Sequence, residues 1–368
     1  MELARLIFIE FSPFLKRIFY FNSTLYFLLS LIPLCFLFSR SIEIVKVVSS
    51  FILVFLLVVV FDLNIMQYAP VIVVLFISST WIKKTNLDDH FSNAKILLML
   101  ALSYAIYQKL FGYTIFELGW MRSGLGYVGE VHFTFTEDIR PFSFFSGIPE
   151  AAIFFSILSY YFLSKKNWIM FTLAIVGIVV VGSRGVLFAT VISYFVLVCI
   201  PGMSFSIKAI FSIVISLVVY SFIVYVYPLY SEAILSFFNI SSESRLAVYG
   251  TFNARVLSLT EFFSKYDSLE FWFSGVRIED YIKDQELAID NFYLRIINDF
   301  GVIFLIIFLA SFICFINSKK RLFCSSLFLS YGFYSDIFPS LFIVYLLAIT
   351  FLTREIEDEK CTDSNICI

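Results

Sequence analysis

Long apolar runs, broken at intervals by short clusters of charge, dominate this chain. A helix crossing a bilayer needs about 20 mostly apolar residues. Suitable runs lie near 21–38, 45–61, 65–82, 95–113, 143–163, 167–182, 185–201, 207–228 and 290–316. A last run, 322–352, is too long for one crossing and is interrupted at Ser335-Asp336-Ile337-Phe338-Pro339, which predicts two shorter helices. The pattern predicts an all-α fold, a polytopic transmembrane helix bundle of about 11–12 spans, as a single domain over residues 1–368.

Lysine and arginine in short loops set the orientation of such a bundle. Alternating the spans gathers Arg40, Lys46, Lys83, Lys84, Lys95, Lys165, Lys166, Lys208, Lys319, Lys320, Arg321 and Arg354 on one side, expected to be cytoplasmic. The loops at about 114–142 and 229–289 then fall on the opposite, non-cytoplasmic side, and the longer one is net acidic. One region conflicts with this scheme, because it leaves Lys16 and Arg17 on the outer side. Residues 3–20 are either a further short or tilted crossing or an amphipathic helix lying in the interface. The span count turns on that choice.

Composition narrows the class. Only 15% of the 368 residues are charged and 60% are hydrophobic, whereas a soluble domain carries roughly a quarter charged. Lipid is the expected solvent for most of the chain. A net charge of −2 provides no basic stripe for nucleic acid. Cys35, Cys199, Cys314, Cys324, Cys361 and Cys367 all avoid the two long loops, so no disulfide framework is implied. Two histidines and no Cys/His cluster argue against a zinc site, and no other cofactor is expected.

Ionisable groups inside or beside a span are costly, about 2.5–3.5 kcal/mol for a central arginine on insertion scales, and so mark candidate sites. Four places stand out. The segment Arg140-Pro141-Phe142-Ser143-Phe144-Phe145-Ser146-Gly147-Ile148-Pro149-Glu150 leads into a span from the outer side. It is either a plain helix start with Arg140 reaching the headgroups or an arginine fixed at a cavity mouth. Gly182-Ser183-Arg184-Gly185 joins two apolar runs. A tight turn there needs the glycines but not the arginine, which favours a function for Arg184.

The third place is the long loop with Arg245, Arg255 and Arg277, followed by Phe273-Ser274-Gly275-Val276. Most of its charges are expected to be solvated pairs worth little each. The fourth is Asp290-Asn291-Phe292-Tyr293-Leu294-Arg295-Ile296-Ile297-Asn298-Asp299-Phe300-Gly301. Asp290 is placed to cap the helix. Helical spacing sets Asn291, Arg295 and Asn298 near one face, which suits a polar cavity rather than lipid.

Other signals carry less. Gly124-Leu125-Gly126-Tyr127-Val128-Gly129 fits a dinucleotide fingerprint but lacks the strand–helix setting that gives it meaning. Asn22-Ser23-Thr24 and Asn239-Ile240-Ser241 are glycosylation sequons, a frequent chance match. His132, among Glu130, Glu137 and Asp138, is a solvated loop histidine or an acid/base residue.

Outer-face arginines converging on a membrane-embedded cavity suit an anion attached to a lipid. Guanidinium forks bind phosphate oxygens in bidentate fashion and keep their charge at any working pH. If a lipid diphosphate is the leaving group, those arginines stabilise charge that grows in the transition state. A carboxylate or histidine nearby, with Asp290, His132 and Glu130 as candidates, would deprotonate an attacking sugar hydroxyl.

These four segments resemble the bacterial O-antigen and exopolysaccharide polymerases, which are related to the O-antigen ligases. The resemblance lies in Arg140-Pro141 through Pro149, in Ser183-Arg184-Gly185, in Arg255 with Gly275 following, and in Asp290-Asn291-Phe292-Tyr293-Leu294 with Gly301. It covers roughly residues 140–310, in the family's order. The resemblance implies a membrane-embedded glycosyltransferase. It would move a growing glycan from undecaprenyl diphosphate to a new lipid-linked repeat unit, at the periplasmic face of the inner membrane. Arg140, Arg184 and Arg255, with Arg245 as a second match for the loop arginine, would contact diphosphate, and Asn291 and Arg295 would line the cavity. A chain-length regulator and a flippase of the same pathway are the implied partners. Ligases commonly place histidine before asparagine where this chain has Asp290-Asn291, which favours polymerase over ligase. The rival from another class is a lipid-linked oligosaccharide flippase. Flippases spread charges through many spans, whereas here they gather at span ends and in one long loop.

Overall fold

The computed structural model describes residues 88, 91, 93–122, 141–145, 147–200, 202–222, 262, 272, 291–334 and 346. Among them there are helices and no strands. The helices are α1 (Ala94–Phe111), α2 (Ile115–Arg122), α3 (Ile148–Ser164), α4 (Trp168–Val181), α5 (Arg184–Val198), α6 (Phe205–Ser221), α7 (Phe292–Cys314) and α8 (Lys319–Tyr331). Two of these, α1 and α7, are long and apolar enough to cross a membrane.

Local chemistry explains where the helices stop. Between α3 and α4 the chain turns through Lys165 and Lys166, the latter at φ 55, and Asn167 caps α4 by accepting from the Met170 amide at 3.3 Å. Between α4 and α5 the turn is made by Gly182 at φ 73, whose amide returns to the carbonyls of Ile178 and Val179. A left-handed glycine after the last helical residue is a common way to satisfy those carbonyls. The serines Ser204 and Ser318 cap α6 and α8 by accepting from Ile207 and Arg321.

Consecutive long helices run in alternating directions, which gives the bundle two ends. At the Lys165 end, the Phe91 ring before α1 packs at a tilt against Tyr161, and Ser206 of α6 donates to the Ile313 carbonyl of α7 at 3.4 Å. At the Gly182 end, Gly185 of α5 abuts Tyr331 and Tyr334 after α8, and Tyr220 of α6 meets the Phe333 and Tyr334 rings. Phe292 at the start of α7 bonds the Gly332 carbonyl there. The basic residues Lys95, Lys165, Lys166, Lys208, Lys319, Lys320 and Arg321 sit at or near the Lys165 end.

α8 is the central strut, packed against both α5 and α6, while α3 packs on α4 and α4 on α1. The contacts are tight and studded with hydroxyls. Ser156 and Thr190 join α3 to α5 at 2.8 Å, Ser159 and Tyr194 repeat that bond at 2.7 Å, and Ser216 donates to Ser330 between α6 and α8 at 2.8 Å. Outward positions are the reverse of those on a water-soluble bundle. Val176 and Val179 of α4, Ile207, Val214 and Val218 of α6, and Ile303 and Ile307 of α7 are exposed.

Three boundaries differ from the sequence expectation. The run expected to be helical from 143 does not enter a helix until Ile148, because Phe142–Phe145 forms a turn with Ser143 at φ 53. The stretch after 114, expected as loop, begins with α2. α8 starts at Lys319 rather than at 322, so its first turn takes in three cations, of which Lys320 is buried. Expectations for the spans before residue 88 and for the two halves of 322–352 beyond Tyr334 fall outside the described residues.

Candidate functional site

The Gly182 end holds the described members of the polar groups that the sequence singles out. Of the candidates, Arg184, Asn291 and Arg295 are described, whereas Glu130, His132, Arg140, Arg245, Arg255 and Asp290 lie outside the described residues.

Arg184 is the first residue of α5 and is exposed. Its guanidinium has no ion pair or hydrogen bond among the described residues. A cation at a helix N-terminus faces the positive end of the macrodipole, a mildly unfavourable placement of about 0.3–1 kcal/mol. Helix stability therefore does not account for it. The same placement adds two sources of positive potential at one point, which favours an anion. Gly185 follows for a different reason from the one the turn suggested. It is helical, and a Cβ on it would stand 3.0 Å from Tyr334 Cβ and 3.4 Å from the Tyr331 ring. Of the two glycines, Gly182 makes the turn and Gly185 lets α5 close on the end of α8.

That close approach links Arg184 to α7. The segment Tyr331–Tyr334 holds α7 by two bonds, Phe292 N to the Gly332 carbonyl at 2.9 Å and Asn291 Nδ2 to the Phe333 carbonyl at 3.2 Å. Asn291 also caps α7, its Oδ1 accepting from the amides of Tyr293 and Leu294 at 3.0 and 3.2 Å. The cap expected at Asp290 is thus supplied by Asn291, because this amide bonds the helix and the neighbouring strut at once. Both of its polar ends are committed to that tie.

One to two turns further along α7, Arg295 Nε donates to Asp299 Oδ2 at 3.2 Å, and Asn298 Nδ2 donates to Asp299 Oδ1 at 2.9 Å. Asn298 and Asp299 are buried. The helix is then interrupted at Gly301, with φ 82 and ψ 170. Phe262 and Trp272, from the long acidic loop, pack edge to face and cover Ile297 and Leu294 on this segment. These two aromatic residues are therefore seated on the first turns of α7.

A second polar network went unread in the sequence. Gln108 of α1 is fully buried. Its Oε1 accepts from the amides of Phe142 and Ser143 at 3.0 and 2.7 Å, while its Nε2 donates to Glu117 Oε1 at 2.6 Å. Glu117, also buried, accepts further from Tyr104 Oη at 3.0 Å and from the Thr114 amide at 2.8 Å. Thr114 Oγ1 in turn accepts from the Glu117 amide at 3.4 Å, which completes a capping box at the start of α2. The Thr-x-x-Glu spacing was the signal for it. For Gln108 there was none, since its partners come from a distant turn. The network fixes the backbone two residues after Arg140.

No family model, curated protein or solved structure matches this chain.

Proposed function

We propose that the chain is a multi-pass protein of the bacterial inner membrane that polymerises a surface polysaccharide. In this reading about 11–12 helices cross the bilayer, the Lys165 end faces the cytoplasm, and the Gly182 end with the loops 114–142 and 229–289 faces the periplasm. The exposed aliphatic faces of α4, α6 and α7 support it, because hydrocarbon rather than water suits such faces. Six of the seven described lysines lie at the Lys165 end, with Lys109 at the other, which supports the orientation.

The reaction is transfer of a glycan from undecaprenyl diphosphate to a sugar hydroxyl of the next lipid-linked unit. The observation that carries this is Arg184, an exposed guanidinium at a helix N-terminus with no partner among the described residues, tied through Tyr331–Tyr334 to the polar first turns of α7. It is a place for an anion beside a place for something neutral and polar. Arg184 would neutralise diphosphate oxygens as the glycosidic bond to them breaks. Arg140, Arg255 and Arg245 complete the anion site in this reading, and Asp290, Glu130 or His132 takes the hydroxyl proton.

The test is genetic. Cells lacking the gene should carry single repeats in place of a ladder of chain lengths, and the wild-type gene should restore the ladder. Arg184→Ala should restore only single repeats, at normal protein level. Loss of all attached glycan in the deletion would point to a ligase instead, and trapping of units on the inner side would point to a flippase. A normal ladder with both Arg184→Ala and Arg255→Ala would sink the assignment.

A further inference from the structure

The polar half of α7 has a feature that diphosphate binding leaves unused. Asn298 and Asp299 are 3% and 2% exposed. A carboxylate offers acceptors only, so Asp299 Oδ1 takes the NH2 end of the Asn298 amide and fixes which way that amide faces. The other end, Asn298 Oδ1, is buried and has no hydrogen-bond partner among the described residues. Buried carbonyl oxygens are seldom left unsatisfied, and each exception calls for an explanation.

Within the next three turns the same helix is exposed and apolar, at Ile303, Ile306 and Ile307, whereas the stretch before Gly301 is largely buried and holds Asn298 and Asp299. An interrupted helix within an apolar run is tolerated where it is enclosed by protein or lines a cavity. The missing partner must be a donor. A diphosphate brings no donor to a buried carbonyl oxygen, and the Asp299 charge beside it is already met by Arg295. A neutral polyhydroxyl group supplies the donor.

We propose that Asn298 Oδ1 accepts a hydrogen bond from a hydroxyl of the saccharide, with Asp299 as the positioning residue that orients the amide. This makes the first turns of α7 a sugar-reading site, separate from the anion site at Arg184. The assignment rests on the polymerase reading for the identity of the sugar, as part of a lipid-linked repeat. It does not rest on that reading for binding.

The full-length protein in lipid nanodiscs tests it, with a probe that has neither lipid nor diphosphate. The probe is the short oligosaccharides released by mild acid from the source cell's surface polysaccharide, titrated by calorimetry. Wild-type protein should bind them, Asn298→Ala should weaken binding at least about fivefold, and Arg184→Ala should change it less than twofold. Asp299→Asn, nearly isosteric, frees the amide to turn and should give an intermediate loss; it decides the matter if Asn298→Ala does not fold. Wild-type failure to bind, or unchanged binding by both α7 variants, overturns the sugar site. Binding of the free saccharide by a protein that never lengthens lipid-linked repeats upholds the site and overturns the polymerase reading instead.

Discussion

Gly185 and Tyr334 approach so closely that a Cβ on the glycine would lie 3.0 Å from the tyrosine Cβ. This contact closes the Gly182 end of the bundle and sets where Arg184 stands relative to α7. Because the opposing atom is next to the backbone, it yields little. Gly185→Ala should lower stability by about 1–3 kcal/mol, the usual cost of overpacking a close contact. Gly185→Val should cost more and reduce polymer length, since it shifts α5 and carries Arg184 with it. Thermal melts in detergent together with the chain-length ladder check this. A valine variant with unchanged melting and ladder would mean that the contact is unimportant.

A second glycine makes a control away from the site. A Cβ on Gly177 would come within 2.6 Å of the Phe155 ring, which is fully buried between α3 and α4. Gly177→Ala should therefore destabilise by about 1–3 kcal/mol or displace the ring. Once expression is equalised, it should leave the pattern of chain lengths intact. A changed ladder at equal protein level would argue that α3–α4 packing reaches the site.

Gln108 gives the sharpest stability prediction. Gln108→Leu keeps the volume but strips the acceptor from two buried amides, Phe142 and Ser143, and a donor from Glu117. An unsatisfied buried donor costs about 1–3 kcal/mol, so this variant should be severely destabilised. Gln108→Glu supplies an acceptor but sets two carboxylates side by side, and should be at least as poor. Glu117→Gln keeps an acceptor for Thr114 and should be milder. Limited proteolysis between 123 and 140 is the readout, and equal cleavage of Gln108→Leu and wild type would refute the role of the network.

Helix positions were legible in the sequence where the cause was local. Apolar runs gave α1 and α3 to α7 to within a few residues, and Gly182 was placed as a turn because a left-handed glycine ends a helix through its own neighbours. What was not legible depended on partners far along the chain. Gly185 looks like a turn glycine until Tyr334 is seen against it. Gln108 looks like one polar residue on an apolar helix until the 141–145 turn folds onto it. Asp290 and Asn291 are both good caps; the Phe333 carbonyl, which needs a donor, makes the amide the better fit. Of the proposed site, the sequence offered the right kinds of residue at the ends of helices. The turn glycines already set Arg184 apart in the sequence, but nothing there showed that Asn291 and Arg295 would be tied into the scaffold.

Asn291 is such a tied residue, and its variants should behave accordingly. Asn291→Asp keeps the oxygen that accepts from Tyr293 and Leu294 but loses the donor to Phe333. Asn291→Ala loses both, with a cap alone worth about 1 kcal/mol. The order of melting temperature should be wild type, then Asp, then Ala. If alanine is no worse than aspartate, the cap contributes little and the Phe333 bond is the tie that matters.

Arg184 should show the opposite signature. A residue kept for the fold loses stability when truncated, but Arg184 is an exposed cation at the unfavourable end of α5. Arg184→Ala should leave stability unchanged or raise it by up to about 1 kcal/mol, because it relieves the clash with the helix dipole. It should still shorten the glycan to single repeats. Arg184→Lys keeps the charge but not the planar fork, so it should recover only part of the ladder. Stability gained and activity lost in one variant is the mark of a side chain held in place for a ligand. Destabilisation of Arg184→Ala in line with its loss of activity would instead make the arginine part of the scaffold.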